Sequence, residues 1–365
     1  MAGIYVHIPF CHSKCAYCDF YSIAGARRVE EYADALAKEW YARRVELADL
    51  PVKTIYFGGG TPSILSAEIL KRIANLLPKE SLCEFTIEVN PEDVNIDSVL
   101  KWRSIGVNRV SMGVQSLDDV ELAAVGRRHS ANDAIAAIAC LKQGGITNIS
   151  ADLIYGLPGQ TIESWQKSLD GLLASGITHL SAYCLSYEPG TRLYMKRERG
   201  EVTETDDETL EAMYHQLCRT ARQFGFDHYE ISNFAKPDCF SRHNSSYWDG
   251  TPYLGLGPGA HSLAADGTRR YVPSSLKDYI AHPDTAAVVD HEDDIDRLND
   301  RLLISLRTAR GIDLLSFSQL QKDTLLAAAQ PHIRAGRLIL EDGYLRVPES
   351  QWLLCDLVLR DLFFD

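Results

Sequence analysis

The sequence lacks a long hydrophobic run, an excess of basic residues and a paired arrangement of cysteines. None of its apolar stretches approaches the roughly 20 residues that cross a bilayer, and it begins with a strand-like segment rather than a basic-then-apolar leader. Its 365 residues carry 37 Lys and Arg against 50 Asp and Glu, which gives a net charge of -13. Because phosphate binding depends on clustered Lys and Arg, this balance argues against a nucleic-acid partner.

Six of the nine cysteines are scattered along the chain without a pairing rhythm. Such spacing is typical of buried free thiols in a reducing compartment rather than of a disulfide framework. We therefore expect a cytoplasmic protein without a transmembrane segment. A peripheral association with a membrane stays open at this stage.

The other three cysteines, Cys11, Cys15 and Cys18, lie on one short loop after the first apolar segment. Their C-x3-C-x2-C spacing supplies three soft ligands, which suit a cubane iron–sulfur cluster whose fourth iron is left open to another ligand. A closed structural zinc site would need a fourth ligand. No second cysteine pair follows at a usual distance, so only His7 or His12 would supply one nearby. The spacing predicts a metal-binding site, and the identity of the metal has to be inferred from other motifs of the chain.

Short β-rich runs alternate with amphipathic stretches over the first half of the chain. Five crossovers joining six strands predict a parallel sheet with right-handed connections. A full eight-stranded barrel takes about 250 residues, whereas the six units here end near Tyr187. We therefore predict an α/β fold with a partial (β/α)6 TIM-like barrel, and a flat doubly wound sheet is the alternative. The predicted strands occupy residues 4–8, 53–57, 84–89, 109–114, 148–154 and 179–185.

Polar or glycine-rich positions lie at or near the C-terminal ends of all six predicted strands. An α/β barrel builds its site at that end, because the strand-to-helix loops converge there. A glycine run lets the backbone approach a ligand closely, and an acid inside an apolar strand needs a ligand or a paired donor. We therefore expect one shared site that includes Cys11, residues 58–62, Glu88, Asn90, Gln115, Asp152 and Ser186.

The pattern changes after the sixth strand, where the chain becomes mostly helical. A hairpin is predicted at residues 337–347, with Asp342 and Gly343 at its turn. Helix, helix, hairpin and a last helix predict a compact winged-helix-like module. Since this module has no dense basic face, a packing or partner role is favoured over DNA binding. The predicted domains are a barrel at residues 1–190, a barrel extension at 191–275 and the C-terminal module at 276–365.

Several motifs resemble the radical S-adenosylmethionine (SAM) superfamily. The cysteine loop, with Tyr17 before its last cysteine, and the Gly-Gly-Gly-Thr-Pro segment at 58–62 are similar to motifs of that superfamily. There, three cysteines hold a 4Fe–4S cluster whose fourth iron is chelated by the amino and carboxyl groups of SAM. Segments 5–11, 111–116, 125–127 and 152–159 are similar, more specifically, to the oxygen-independent coproporphyrinogen III oxidase group.

The resemblance implies a role for each matching position. The three loop cysteines would bind the cluster, and Arg127 would pair with the SAM carboxylate through a charge-assisted bond. Glu88 or Asp152 would accept hydrogen bonds from the ribose hydroxyls or the ammonium group. The positions that align with SAM-holding residues are Tyr5, Tyr17, Gly59, Gly60, Thr61, Glu88, Gln115, Arg127, Asp152 and Ser186.

This group has two branches with different functions. The decarboxylating oxidases carry a further cysteine two residues after the third, where this sequence has Phe20, and a longer N-terminal extension that this chain is expected to lack. The HemW branch of heme chaperones carries an H-N-x-x-Y-W signature, which occurs here from His243 to Trp248. His243 is a natural axial ligand for heme iron, and Tyr247 and Trp248 offer flat faces to a porphyrin. His261 is a second candidate ligand.

The resemblance therefore implies a heme chaperone that transfers heme to an acceptor protein such as a respiratory cytochrome. The cluster and SAM would be bound on the same scaffold and would control oligomerisation or heme transfer. A homodimer is one possible oligomeric state. No catalytic residue is assigned. Oxidative decarboxylation of coproporphyrinogen III is the alternative function.

Overall fold

The computed structural model describes residues 1–364, and six parallel strands form its centre. Each strand pairs with the next one along the chain, so the crossovers all step in the same direction, whereas a doubly wound sheet reverses direction at a switch point. The predicted partial barrel is therefore confirmed, and the doubly wound alternative is excluded. The strands are β1 (Ala2–Ile8), β2 (Val52–Gly59), β3 (Glu84–Val89), β4 (Arg109–Gln115), β5 (Asn148–Tyr155) and β6 (His179–Cys184).

The sheet continues beyond both edges of the parallel strands. At one edge, the strand Asn233–Ala235 pairs antiparallel with β6 and forms a hairpin with the strand Asp227–Glu230. At the other edge, the strand Tyr253–Leu256 runs parallel to β1 and three antiparallel strands follow. These strands are β7 (Asp227–Glu230), β8 (Asn233–Ala235), β9 (Tyr253–Leu256), β10 (His261–Leu263), β11 (Arg269–Tyr271) and β12 (Val288–Asp290).

Helices follow the strands, and several begin at a side-chain cap. Ser130 and Thr161 each close a capping box at the start of a helix, which satisfies backbone N–H groups that the helix leaves free. Ten α-helices precede the C-terminal unit in the described residues: α1 (Val29–Arg43), α2 (Ala67–Ala74), α3 (Ile96–Ser104), α4 (Asp119–Ala124), α5 (Ala131–Gln143), α6 (Ile162–Ala174), α7 (Arg192–Glu198), α8 (Asp207–Gln223), α9 (Arg242–Asp249) and α10 (Leu276–Ala281).

The two faces of the parallel strands differ in polarity. Ile4, Val6 and Ile8 on one face of β1 are fully buried in the apolar core, which lies between the strands and the surrounding helices. Because successive side chains alternate between faces, the positions between them point into the barrel. The inward positions are mostly polar or glycine, and they are Gly3, Tyr5, His7, Thr54, Tyr56, Gly58, Glu84, Thr86, Glu88, Arg109, Ser111, Gly113, Ser150, Asp152, His179, Ser181 and Tyr183.

The C-terminal unit has the predicted order of helix, helix, hairpin and helix. Asp342 and Gly343 have φ of 51° and 83°, the left-handed values that a tight hairpin turn of this kind requires. The division of the chain at residues 190 and 275 stays a prediction. The elements are α11 (Asp294–Ser305), β13 (Ile312–Asp313), α12 (Gln319–Arg334), β14 (Ile339–Glu341), β15 (Tyr344–Arg346), the 3-10 helix Glu349–Leu354 and α13 (Cys355–Leu362).

Among residues 1–364, no helix is both long enough and apolar enough to span a membrane.

Candidate functional site

The three predicted cluster cysteines lie on a loop at the barrel mouth, the end of the barrel at which the six parallel strands finish. A short parallel pairing of Phe10–Cys11 with Ile23–Ala24 holds the two ends of this loop together. In its middle, the N–H of Ala16 donates to the carbonyl of Val125 at 3.0 Å, and the N–H of Leu193 donates to the carbonyl of Ala16 at 2.8 Å. The loop is therefore fixed to α4 and α7 by backbone bonds, and its cysteines remain free thiols.

A chain of hydrogen bonds joins two of these thiols across the mouth. The hydroxyl of Thr61 donates to Cys11 Sγ at 3.6 Å and accepts from Asn90 Nδ2 at 3.2 Å. Arg127 donates to Asn90 Oδ1 at 2.8 Å and to Cys15 Sγ at 3.3 Å. Its Nε is buried without a hydrogen-bond partner among the described residues.

The chemistry of the cysteine loop fits an iron–sulfur cluster. Burial raises the pKa of Cys11, and burial together with the neighbouring Cys15 raises the pKa of Cys18 to about 11. Crowded thiols resist ionisation, and a bound cation reverses that preference by displacing their protons. Three sulfur donors and a nearby guanidinium therefore suit a cluster with three protein ligands.

The glycine run after β2 forms a backbone wall beside the loop, and larger residues do not fit there. A Cβ at Gly59, which has φ of 105°, would lie 2.6 Å from the ring of His7. A Cβ at Gly60 would lie 2.6 Å from the carbonyl oxygen of Phe10. The N–H of Gly59 also donates to Glu88 Oε2 at 3.0 Å. These positions need glycine because of close approach, as the sequence suggested.

Two half-buried carboxylates reach the mouth from β3 and β5. Burial raises the pKa of Glu88 to about 7, although the hydroxyl of Tyr56 donates to it at 2.8 Å. Burial likewise raises the pKa of Asp152 to about 6, and Ser111 donates to it at 3.5 Å. Both groups can therefore accept hydrogen bonds from a polar ligand near neutral pH.

The remaining predicted SAM positions lie in different surroundings. The Tyr5 hydroxyl shares a hydrogen bond of 3.1 Å with His7 Nδ1 inside the barrel, and Tyr17 packs against a small apolar cluster at the end of β5. Gln115 is buried at a bulge of β4 with φ of 71°. Ser186 is exposed and donates to a neighbouring carboxylate. The structure thus places all of them at or below the strand ends, and their roles stay predictions.

The H-N-x-x-Y-W signature forms α9, which closes the opposite end of the barrel, here called the barrel floor. Glu84, the first residue of β3, accepts the N–H groups of Arg242 and His243 at 2.9 Å each. The side chain of His243 is fully buried, with Nδ1 bonded to the Thr54 hydroxyl at 2.8 Å and Nε2 to the Tyr247 hydroxyl at 2.9 Å. Burial lowers the pKa of His243 to about 3.

His243 is therefore packed as a structural residue in this arrangement. Its ring stacks on that of Tyr56 at 5.2 Å, and a Cβ at Gly3 would lie 3.1 Å from it. With both nitrogens bonded, neither can approach heme iron unless a hydrogen bond breaks. Ligation by His243 stays a prediction, and this geometry does not support it.

The other predicted heme-contacting residues differ in how they are placed. Tyr247 packs edge-on against Tyr253 at 4.7 Å, and Trp248 is half-buried. His261 is exposed at the start of β10, with its ring stacked at 5.9 Å from that of Tyr271. Of the two candidate ligands, His261 is thus the accessible one.

Sequence reasoning missed most of the polar side chains inside the barrel. Arg109 is 1% exposed and its Nε and Nη1 lack partners among the described residues. His179 is bonded to Ser150 at 2.7 Å and to Tyr229 at 2.8 Å. The signal that could have found them is the alternation of polar and apolar residues along every strand.

Known proteins resemble this chain in sequence and in fold. Residues 5–172 match the model of the Radical SAM superfamily. The heme chaperone HemW of Bacillus subtilis (strain 168) is 34% identical, over 87% of this chain and 86% of that protein. The mitochondrial radical S-adenosyl methionine domain-containing protein 1 of Danio rerio is 36% identical, over 74% of this chain and 61% of that protein.

A solved structure shares the fold. It is the coproporphyrinogen III oxidase HemN of Escherichia coli, described as a radical SAM enzyme, with a TM-score of 0.84 and 24% identity. The likeness covers 99% of this chain and 90% of that one, and at this identity it shows the fold alone. Together with the relatives in sequence, these matches show that the chain belongs to the HemW family of the radical SAM superfamily.

Proposed function

We propose that this protein is a heme chaperone of the cytoplasm, which binds heme and transfers it to an acceptor protein such as a respiratory cytochrome. The observation that carries the proposal is its similarity, over most of its length, to a protein named as a heme chaperone. Its nine free thiols are consistent with a reducing compartment.

At the barrel mouth, the proposed roles follow from the contacts. Cys11, Cys15 and Cys18 would hold the 4Fe–4S cluster. Arg127 would use its unpartnered Nε to bind the carboxylate of SAM, and Glu88 and Asp152 would accept from the hydroxyl or ammonium groups. The cluster, when bound, would supply electrons and an open iron to which the amino and carboxyl groups of SAM could bind.

For heme, we propose a face beside the mouth that includes Phe20, Tyr21 and His261. A Cβ at Gly259 would lie 3.4 Å from Cβ of Tyr21, so the glycine turn before β10 lies against the end of the cysteine loop. Phe20 is 70% exposed, and an exposed aromatic ring beside the mouth suits contact with a porphyrin. His261 follows Gly259 by two residues and is exposed to solvent, so its imidazole is available to the heme iron.

A heme titration tests this assignment. We expect His261→Ala to weaken heme binding at least about tenfold and to change the heme absorption spectrum, because it removes the axial ligand. His215→Ala, at a surface histidine of α8, is the matched control. His243→Gln should keep the wild-type spectrum in folded protein. Unchanged binding by His261→Ala would contradict the proposed ligand, and a heme-loaded chain that gives no heme to a heme-free b-type cytochrome would contradict the chaperone function.

The alternative function is the oxidative decarboxylation of coproporphyrinogen III, favoured only by the fold shared with the E. coli oxidase. Phe20 occupies the position at which those oxidases carry a fourth cysteine. We expect no protoporphyrinogen after anaerobic incubation with coproporphyrinogen III, SAM and a reductant. Its formation would overturn the chaperone proposal in favour of the enzyme.

A further inference from the structure

Cys218, His228 and Glu349 converge in a cavity between the barrel and the C-terminal unit. Cys218 lies on α8, His228 on β7, and Glu349 begins the 3-10 helix before α13. Their donor atoms all lie within 4.8 Å of one another. The cavity has a volume of about 250 Å³ and is also lined by Phe234 and Trp352. No part of the barrel mouth contributes to it.

The donor spacing is close to that of a tetrahedral metal site. His228 Nδ1 lies 3.0 Å from Glu349 Oε1 and 3.8 Å from Cys218 Sγ. With zinc bonds of about 2.1 Å to nitrogen or oxygen and about 2.3 Å to sulfur, tetrahedral ligands lie roughly 3.4 to 3.6 Å apart. Two of the three donor pairs therefore lie within a few tenths of an ångström of the spacing expected for ligands, and the third pair, Cys218 Sγ and a Glu349 carboxylate oxygen, lies within 4.8 Å.

The imidazole of His228 is held rigidly with Nδ1 toward the other two donors. Its ring stacks on Phe234 at a centroid distance of 3.8 Å and meets Trp352 edge-on at 4.2 Å. The side chain is 5% exposed, and its Nε2 has no hydrogen-bond partner among the described residues. Because aromatic rings flank it on its face and its edge, the imidazole keeps Nδ1 directed at Cys218 and Glu349.

A further hydrogen bond orients the carboxylate donor. Arg222 donates to Glu349 Oε2, which leaves Oε1 directed at His228, as outer hydrogen bonds commonly orient a metal-binding carboxylate. Binding of M²⁺ would form the S–M bond, break the S–H bond and release one proton to solvent.

We propose that Cys218, His228 and Glu349 bind a divalent transition metal, Zn²⁺ or a similar cation, and leave its fourth position open to the cavity. Mixed thiolate, imidazole and carboxylate donors suit zinc. Because two ligands come from the barrel region and the third from the C-terminal unit, the ion would tie these parts together. The site is independent of the proposed heme function.

A cobalt titration tests the site, because Co²⁺ replaces Zn²⁺ and reports thiolate ligation by a charge-transfer band. The full chain with Cys11, Cys15 and Cys18 changed to serine removes competing thiols. We expect one equivalent of Co²⁺ to bind with this band. Adding Cys218→Ser should abolish the band and weaken binding at least tenfold, whereas Cys83→Ser, at an exposed thiol, should change neither. A band that survives Cys218→Ser, or no band in the parent, would overturn the proposal.

A second measurement avoids the triple substitution. The chain with its iron–sulfur cluster in place is equilibrated with Zn²⁺, desalted and analysed for zinc. We expect about one zinc more per chain in the wild type than in Cys218→Ser or His228→Gln. Equal zinc contents would contradict the site whatever the state of the cluster.

Discussion

The two ends of the barrel have similar polar residues, yet they use them differently. At the floor, both nitrogens of His243 are hydrogen-bonded, and its backbone N–H is capped by Glu84. At the mouth, Arg127 has a buried Nε without a partner, and burial raises the pKa of Glu88 to about 7. A polar group whose hydrogen bonds are all made stabilises the fold, whereas a buried polar atom without a partner is available to a ligand.

This difference separates two motifs that look equally functional in the sequence. The cysteine loop lies at the mouth, beside the unpartnered Nε of Arg127, while the H-N-x-x-Y-W segment forms the helix that closes the floor. Substitutions at the mouth should therefore alter ligand binding, and substitutions at the floor should alter stability.

The largest expected effect is the loss of the cluster from the mouth. Cys15→Ser removes one of three thiolates, and we expect the iron content of anaerobically reconstituted protein to fall from about four atoms per chain to near zero. Iron and acid-labile sulfide are measured. Cys83→Ser, at an exposed cysteine, serves as control and should retain both. Full iron in Cys15→Ser would contradict the assignment of the loop.

At the floor, we expect His243→Ala to lower the free energy of unfolding by about 2–4 kcal/mol, because it creates a cavity and removes the partner of Thr54 and Tyr247. Urea unfolding measures this loss. The surface substitution His215→Ala should stay within about 0.5 kcal/mol of the wild type. If His243→Ala left stability unchanged and abolished heme binding, the floor would be a ligand site, and the distinction between a structural floor and a ligand-binding mouth would be wrong.

Arg127→Lys should weaken SAM binding about 10- to 100-fold, since the lost charge-assisted bond is worth roughly 1.5–3 kcal/mol. Calorimetric titration of cluster-loaded protein measures the affinity. Arg128→Lys, at the exposed neighbouring arginine, gives the matched control. Equal affinities of the two variants would remove Arg127 from the proposed SAM site.

The smallest effect concerns pH. The pKa of Glu88 is raised in the folded protein to about 7 from an ordinary 4.5. The folded state therefore holds this proton more tightly, and the associated stability is present below pH 4.5 and lost as the pH rises through 7. Relative to Glu88→Gln, the wild type should lose on the order of 1 kcal/mol between pH 5 and pH 7.5, allowing for partial solvent exposure. Parallel stability profiles of the two proteins would show that the pKa is not raised.

Much of the architecture was predictable because it depends on local patterns. All six parallel strands and the Asp342-Gly343 turn follow from periodicity and turn chemistry, which neighbouring residues determine. The cysteine loop was predictable for the same reason, since its three ligands are close in sequence.

The surroundings of His243 were not predictable from the sequence. Its partner Thr54 is 189 residues away, and only the folded barrel brings the two together. The Cys218, His228 and Glu349 cluster likewise joins positions separated by as many as 131 residues along the printed sequence. A motif therefore reveals which residue types are present. Whether their polar atoms are hydrogen-bonded within the fold or available to a ligand depends on tertiary contacts.

In the proposed site, the cysteine loop holds a cluster at the barrel mouth, and SAM binds to an open iron of that cluster. The most direct measurement is the EPR spectrum of the anaerobically reconstituted and reduced protein, recorded with and without SAM. We expect a 4Fe–4S signal whose shape changes when SAM is added. A cluster signal that is identical with and without SAM, or the absence of any cluster signal, would contradict the proposed cluster and SAM site.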